Sequence, residues 1–253
     1  MKIKFLGTGT SAGVPEIGCQ CEVCTSTNIK DRRLRASVLI DIDDRKILID
    51  CGPDFRQQIL GEQFSKIDGV LLTHEHYDHV GGIDDLRPFC KLSDVDIYSS
   101  SITLNALKKR MPYSFAEHRY PGIPSFILHE IDSDKDFWVD GIEVVPIDIL
   151  HYRLPILGYR IRNFAYLTDV KTIPESEFEK LKNLDTLVIS ALRIGEHLSH
   201  ISLSEALDLI ERIAPRRAYL IHMSHGIGLH QKVQEILPEN VFLSYDGLEI
   251  EVF

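Results

Sequence analysis

The segment His74-Glu75-His76-Tyr77-Asp78-His79 carries three histidines and an aspartate within six residues. It directly follows the apolar run Gly69-Val70-Leu71-Leu72-Thr73, a pattern that predicts a buried strand. The polar cluster is therefore expected where a strand ends and a loop opens. Imidazole nitrogens and carboxylate oxygens are ligands that suit Zn, Mn or Fe. The segment predicts a metal site.

One loop cannot complete such a site, so further ligands are expected elsewhere in the chain. The candidates that lie at or near the ends of predicted strands, or just before a predicted helix, are His151, Asp169, His200, His222 and His225. Their common placement fits a shared site at one rim of the predicted sheets.

Strand and helix patterns alternate along the whole chain. Two hairpins are predicted, with turns at Asp43-Asp44-Arg45 and Asp140-Gly141. Helices are predicted at 55–60, from just after His79, at 175–184 and at 202–213, the last with a capping-box pattern of Ser202 and Glu205. This pattern predicts an α/β fold in which two mixed sheets pack as one sandwich with helices on the outer faces.

Composition limits the classes of function. The chain has 253 residues, of which 44% are hydrophobic, and its net charge is 28 − 38 = −10. The absence of a broad basic face argues against a nucleic-acid partner. No apolar run approaches the roughly 20 residues that cross a bilayer, and no secretory signal is recognised. A cytoplasmic location is therefore expected.

A second ligand cluster consists of Cys19, Cys21 and Cys24. The C-x-C-x2-C spacing supplies three thiolates, and tetrahedral zinc needs a fourth ligand from elsewhere. Crowded cysteines in a cytoplasmic chain favour a metal over disulfides. Cys51 and Cys90 lie in apolar segments and are interpreted as ordinary core thiols.

The H-x-H-x-D-H motif, with a later histidine, an aspartate after a strand and a C-terminal histidine, resembles the metallo-β-lactamase superfamily. The resemblance covers nearly the whole chain and implies a single αββα sandwich domain over residues 1–253. It implies two divalent active-site metals, Zn or Mn. By this resemblance the first metal is bound by His74, His76 and His151, the second by Asp78, His79 and His222, with Asp169 as the bridge and Asp50 supporting the ligands by hydrogen bonds.

The Cys loop, together with the preceding segment GTSAGVP at 9–15, resembles one subgroup of the superfamily. That subgroup is the phosphodiesterase of the carbon–phosphorus lyase pathway, which acts on phosphoribosyl 1,2-cyclic phosphate. The resemblance implies a structural zinc held by Cys19, Cys21, Cys24 and His225, the last from the segment His222-Met223-Ser224-His225. It also implies that His200 faces the phosphate, where it could stabilise charge or protonate the leaving oxygen.

The expected function is hydrolysis of a small, cyclic phosphodiester by attack of a metal-bridging hydroxide, with Asp78 orienting the hydroxide and His200 assisting the leaving group. No membrane partner is expected, and a homodimer is left open. The remaining histidines, His118, His129, His197 and His230, match no motif and are interpreted as structural or surface residues.

Two alternatives stay open. The segment GTSAGVP also resembles tRNA 3′-processing endonucleases, but these carry an arm between the residues that match His151 and Asp169, which here are only 18 positions apart (169 − 151). The second alternative is a cofactor-biosynthesis oxidoreductase or metal-binding protein resembling the pyrroloquinoline-quinone pathway member, which shares a Cys-rich loop but has a reduced active-site motif.

Overall fold

Two seven-stranded sheets form the framework of the part of the chain that the computed structural model describes, residues 1–116 and 122–253. The strands are β1 Lys2–Gly7, β2 Ser37–Ile42, β3 Arg45–Ile49, β4 Gly69–Leu71, β5 Val95–Ser99, β6 Phe126–Glu130, β7 Phe137–Val139, β8 Ile142–His151, β9 Leu154–Ile161, β10 Phe164–Leu167, β11 Thr186–Ser190, β12 Arg217–Ile221, β13 Val241–Leu243 and β14 Glu249–Glu251. The first sheet has the order β14-β1-β2-β3-β4-β5-β6, and the second has the order β13-β12-β11-β10-β9-β8-β7.

Helices are few and short. The α-helices are α1 Phe55–Ile59, α2 Tyr77–Val80, α3 Ser101–Arg110, α4 Leu203–Ile213 and α5 His230–Gln234. Turns of 3₁₀-helix occupy Ile29–Asp31, Ile83–Leu86, Phe89–Lys91, Pro112–Phe115, Glu175–Leu181 and His225–Ile227.

Both sheets are mixed. Strands β3 to β6 run parallel to one another, as do β10 to β13, whereas the remaining strand pairs are antiparallel. The carboxyl ends of parallel neighbours meet at one edge of a sheet, which is where open α/β sheets bind ligands. The metal-binding candidates follow strands in both parallel blocks, so the topology brings them to one rim.

The core has three layers of buried apolar side chains. The central layer joins the inner faces of the two sheets and includes Val38 and Ile49 from the first sheet and Tyr159 and Val188 from the second. A second layer lies between the second sheet and α4, and a third lies between the first sheet, α1 and α3. This arrangement confirms the predicted sandwich of two mixed sheets with helices outside.

Several boundaries differ from prediction. The capping box at Ser202 and Glu205 is confirmed, but the predicted helix at 175–184 is a 3₁₀ turn over Glu175–Leu181. The helix expected after His79 begins at Tyr77, two residues before that histidine. Among the described residues, no helix combines the length and apolar character needed to cross a bilayer.

Candidate metal centre

The H-x-H-x-D-H segment links β4 to α2. His74 follows the strand in extended chain, His76 is the N-cap of α2, and Asp78 and His79 lie in its first turn. The main-chain N–H of Val80 donates to the His76 carbonyl (3.2 Å), which closes this turn. The short helix thereby fixes the spacing of the last two side chains of the motif.

The distant candidates come from strand ends, as the sequence predicted. His151 is the last residue of β8, Asp169 lies two residues after β10, and His222 follows β12 directly. Two of them have left-handed backbone, with φ of 54° at Asp169 and 58° at His222, and Asp50 has φ of 60°. Such strained conformations concentrate at functional sites, where the surrounding structure enforces them.

Asp78, His79, Asp169 and His222 point at a common centre. Nε2 of His79 lies 3.2 Å from Oδ2 of both Asp78 and Asp169, and Nε2 of His222 lies 3.4 Å from the same two oxygens. Ligands about 2.0–2.1 Å from a tetrahedral ion are separated by about 3.3–3.4 Å. The spacing of these four side chains therefore fits a divalent metal ion.

The orientation of His79 also fits the binding of a metal ion. Its Nδ1 lies 2.7 Å from Oδ2 of the fully buried Asp50, so Nε2 is the ring nitrogen that faces the centre. That Nε2 is itself buried and has no hydrogen-bond partner. Asp50 also accepts from the N–H and the hydroxyl of Thr73, the residue that precedes His74. Through these hydrogen bonds Asp50 orients the His79 ring and the main chain that leads to His74.

The other three histidines adjoin this group. Nε2 of His74 and Nδ1 of His76 are 3.0 Å apart, and the His76 and His151 rings lie 5.3 Å apart. His151 donates from Nδ1 to the Ser199 carbonyl (2.8 Å), so its Nε2 is free to bind an ion. His74 clusters with His79 and Asp169, whereas His151 clusters with Asp169 and His200. Asp169 is thus the member shared by both sides of the centre.

Burial and neighbouring charges keep His74 and Asp169 in the protonation states that bind a metal ion. Burial lowers the pKa of His74 well below its usual range, so the ring is neutral and offers a lone pair. Burial alone would raise the pKa of Asp169, but His222 and His79 outweigh it and hold that pKa well below its usual value. Both groups are therefore ready to bind a cation near neutral pH.

His200 lies beside the centre. Its ring is 4.6 Å from that of His151, and its Nδ1 is 3.7 Å from Oδ1 of Asp169, buried and without a hydrogen-bond partner. Burial lowers its pKa to about 3, so the imidazole is neutral in this environment. His197, interpreted from sequence as a surface residue, has its ring 5.2 Å from the His200 ring.

The cysteine cluster forms a separate group. Nδ1 of His225 lies 3.3 Å from Sγ of Cys19 and 3.2 Å from Sγ of Cys21, and Cys24 completes a set of four ligand atoms. Hydrogen bonds from the Cys24 N–H and from His225 lower the pKa of Cys21 to about 6, whereas burial raises that of Cys24 to about 11. Glu16 lies 3.2 Å from His225 Nε2 and orients the ring from behind. None of the five cysteines forms a disulfide.

The remaining histidines have local partners. His129 lies 2.6 Å from Asp96 on the neighbouring strand, and His230 packs near the buried Arg33. His118 lies outside the described residues.

Comparison with known proteins gives the family. Residues 45–223 match the beta-lactamase superfamily domain. A crystal structure of a diphosphatase from the PhnP family superimposes with a TM-score of 0.92 and 36% identity, covering 100% of this chain and 98% of that one. Zn(2+)-bound PqqB from Methylobacterium extorquens matches over all of both chains with a TM-score of 0.80 and 16% identity, a likeness of fold alone.

An octanoyltransferase of Porphyromonas gingivalis (strain ATCC BAA-308 / W83) is 47% identical over 251 residues, which are 98% of this chain and 51% of that protein. The chain therefore spans about half the length of this relative. The family match and the PhnP-family likeness confirm the resemblance inferred from the motifs, and the fold implies use of divalent metal. The chain belongs to the beta-lactamase superfamily and, within it, to the PhnP family.

Proposed function

We propose that this chain is a two-metal phosphodiesterase that acts on a small, cyclic phosphodiester. The observation that carries the proposal is the position of Asp169, whose Oδ2 faces His79 and His222 while its Oδ1 faces His200. One carboxylate shared in this way suits a bridge between two cations about 3.5–4 Å apart, the spacing used for in-line displacement at phosphorus. The diphosphatase likeness supports phosphoryl chemistry.

We assign one Zn or Mn ion to His74, His76, His151 and Asp169, and the other to Asp78, His79, His222 and Asp169. When bound, such a pair lowers the pKa of water and neutralises charge on the phosphoryl oxygens. Asp78 combines a ligand position with an 11% exposed side chain, so it can also orient the attacking water. A third, structural zinc is assigned to Cys19, Cys21, Cys24 and His225.

His200 is assigned to the phosphate rather than to a metal. Because its ring is neutral, its ring N–H can donate to a phosphoryl or leaving-group oxygen, and a bound dianionic transition state favours the protonated form. Its ring also groups with His151 and Asp169 at ligand spacing, and the metal content of a His200 variant distinguishes the two roles.

A substrate panel tests the function. Metal-loaded protein should hydrolyse bis-p-nitrophenyl phosphate and a subset of cyclic phosphates, and should leave tRNA precursors intact. Strands β9 and β10 fill most of the 17 residues between His151 and Asp169, so no inserted arm for tRNA lies there. An acyl thioester belongs in the panel as the second candidate, because the octanoyltransferase relative matches this chain at 47% identity. Hydrolysis of the thioester without hydrolysis of any diester would contradict the phosphodiesterase proposal and favour the thioester as the substrate class.

Metal content is the first expected result. Three ligand sets predict close to three metal ions per chain by elemental analysis of protein purified without chelator. Chelation should remove the activity, and added Mn or Zn should restore it. A folded, freshly purified sample with one tightly bound metal or fewer would contradict the assignment.

His200→Ala should slow the reaction while both active-site metals stay bound. General acid–base assistance is worth about 10²–10⁴-fold, so an alkyl leaving group should lose about that much. A p-nitrophenolate leaving group needs little protonation and should lose less. His129→Ala, on β6, is the control and should change neither rate. Equal losses for both leaving groups would favour charge stabilisation instead, and loss of a metal would make His200 a ligand.

A further inference from the structure

Tyr152 occupies an unusual position for an aromatic residue. With Arg153 it forms the two-residue turn of the β8–β9 hairpin, between the paired residues His151 and Leu154. Its φ is 56°, in the left-handed region, and 45% of the residue is exposed. A bulky residue in this conformation is a true outlier, because short hairpin turns favour Gly, Asn or Asp there.

Two other hairpins of the same structure follow the usual preference. Asp43 and Asp44 turn between β2 and β3, and Asp140 and Gly141 turn between β7 and β8, all with positive φ. The β9–β10 turn has Arg162 at φ 55°, but that side chain forms an ion pair with Asp43 within the chain. At residue 152 the fold instead keeps a tyrosine that is about half exposed. Burial of the tyrosine therefore does not account for the strain, whereas contact of its ring with a bound ligand would.

The turn directly adjoins the metal centre. Its preceding residue, His151, has its ring 4.6 Å from His200 and 5.3 Å from His76. A second exposed tyrosine, Tyr77, follows His76 in the chain and is 61% exposed. Two accessible aromatic rings thus come from the residues next to His76 and His151, which face each other at the centre.

An arginine guanidinium lies over the ring of each tyrosine. The Arg153 guanidinium lies 5.2 Å from the Tyr152 ring centroid, and Arg110 lies 5.6 Å from that of Tyr77. Among the described residues, neither arginine has a carboxylate within 4.0 Å. In a chain of net charge −10, these are available positive charges beside a site for an anion.

We propose that Tyr152 and Arg153 form a subsite for an aromatic base carried by the phosphodiester substrate, with the base stacked on the Tyr152 ring. The inference rests on the proposed phosphodiesterase function and narrows its substrate class to nucleotide-like diesters. Aromatic side chains accept bases of any identity on their π-faces, and an adjacent guanidinium adds attraction to the base or to a phosphate. Tyr152 would then determine specificity and take no part in the chemical step.

The kinetic test uses two substrates that share a five-membered cyclic phosphate, adenosine 2′,3′-cyclic phosphate and glycerol 1,2-cyclic phosphate. Stacking of one base corresponds to a factor of about 10. Tyr152→Ala should lower kcat/KM for the adenosine substrate by about that factor, mainly through KM, and change the glycerol substrate less than about twofold. Tyr152→Trp should restore the preference. Trp138→Ala, an exposed aromatic on β7, is the matched control and should have no effect.

A binding measurement separates this inference from the proposed function. Calorimetry on the metal-loaded protein compares adenosine 5′-monophosphate with ribose 5-phosphate, which differ in the base. The adenosine ligand should bind about tenfold more tightly, and Tyr152→Ala should remove the difference. Equal affinity for both ligands in the unaltered protein would overturn the subsite even if diesters are hydrolysed. If no diester is hydrolysed but the base preference and its loss are observed, the proposed function fails and the subsite stands.

Discussion

Asp169→Asn is expected to lower kcat/KM for a phosphodiester by about 10³-fold or more and to reduce the metal content by at least one ion. The two carboxylate oxygens of Asp169 face opposite sides of the centre, one 3.2 Å from the metal ligand His79 and the other 3.7 Å from His200. An amide keeps one acceptor oxygen and loses the charge. Metal ions contribute several kcal/mol to transition-state stabilisation, and 1.36 kcal/mol corresponds to about tenfold in rate.

The control for this substitution is Asp208→Asn, on the exposed side of α4. It makes the same chemical change far from the centre and should leave activity and metal content unchanged. Elemental analysis and steady-state kinetics on both variants test whether Asp169 bridges the metals, and circular dichroism verifies that the variants are folded. Full metal content together with near-normal activity in Asp169→Asn would show that another group bridges the metals.

The strand ends that carry the site could be predicted because their signal is local. A run such as Gly69–Leu71 is buried on both faces and therefore apolar throughout, and the polar residues that follow it stand out. The same contrast marks His151, Asp169 and His222. Since parallel strands in one sheet end at the same edge, their convergence follows from the order of strands.

The start of α2 could not be predicted in this way. Metal ligands were expected in an open loop, so the helix was placed after His79. In the structure His76 caps the helix, and the chain has no Ser, Thr, Asp or Asn at that position to indicate a start. The helix begins inside the motif without a side-chain cap and is closed by the main-chain hydrogen bond from Val80 to the His76 carbonyl.

Helices and strands that are short, or that form only through contacts with distant parts of the chain, have no recognisable sequence pattern. Strand β14 is the three residues Glu249–Glu251 and forms only because the end of the chain pairs with β1. Helix α3 contains Ile102, Thr103 and Asn105, which are weak helix formers, and its Ser100 cap becomes visible only in the fold. No sequence pattern connects His197 with His200, because the fold of the loop between β11 and α4 brings the two rings within 5.2 Å of each other.

Cys21→Ser is expected to remove one zinc ion and to lower the melting temperature while the active-site metals remain bound. Cys21 lies 3.2 Å from His225, which is 204 residues away along the chain. A covalent cross-link of that span stabilises by about 4–5 kcal/mol in the chain-entropy model, and a zinc tie acts in the same way. For a chain of this size each kcal/mol corresponds to about 2–4 °C, so a fall of about 8 °C or more is expected.

The same substitution at Cys90 provides the control for the zinc site. Cys90 lies in the outer core and its thiol donates to the Ser125 carbonyl at 3.4 Å, far from the Cys loop in sequence. Cys90→Ser should therefore keep all three metals. His225 is only three residues from His222, so some loss of activity in Cys21→Ser is expected even with both active-site metals in place. Unchanged zinc content and melting temperature in Cys21→Ser would refute the structural site, because the hydroxyl of serine is a poor substitute for a thiolate ligand.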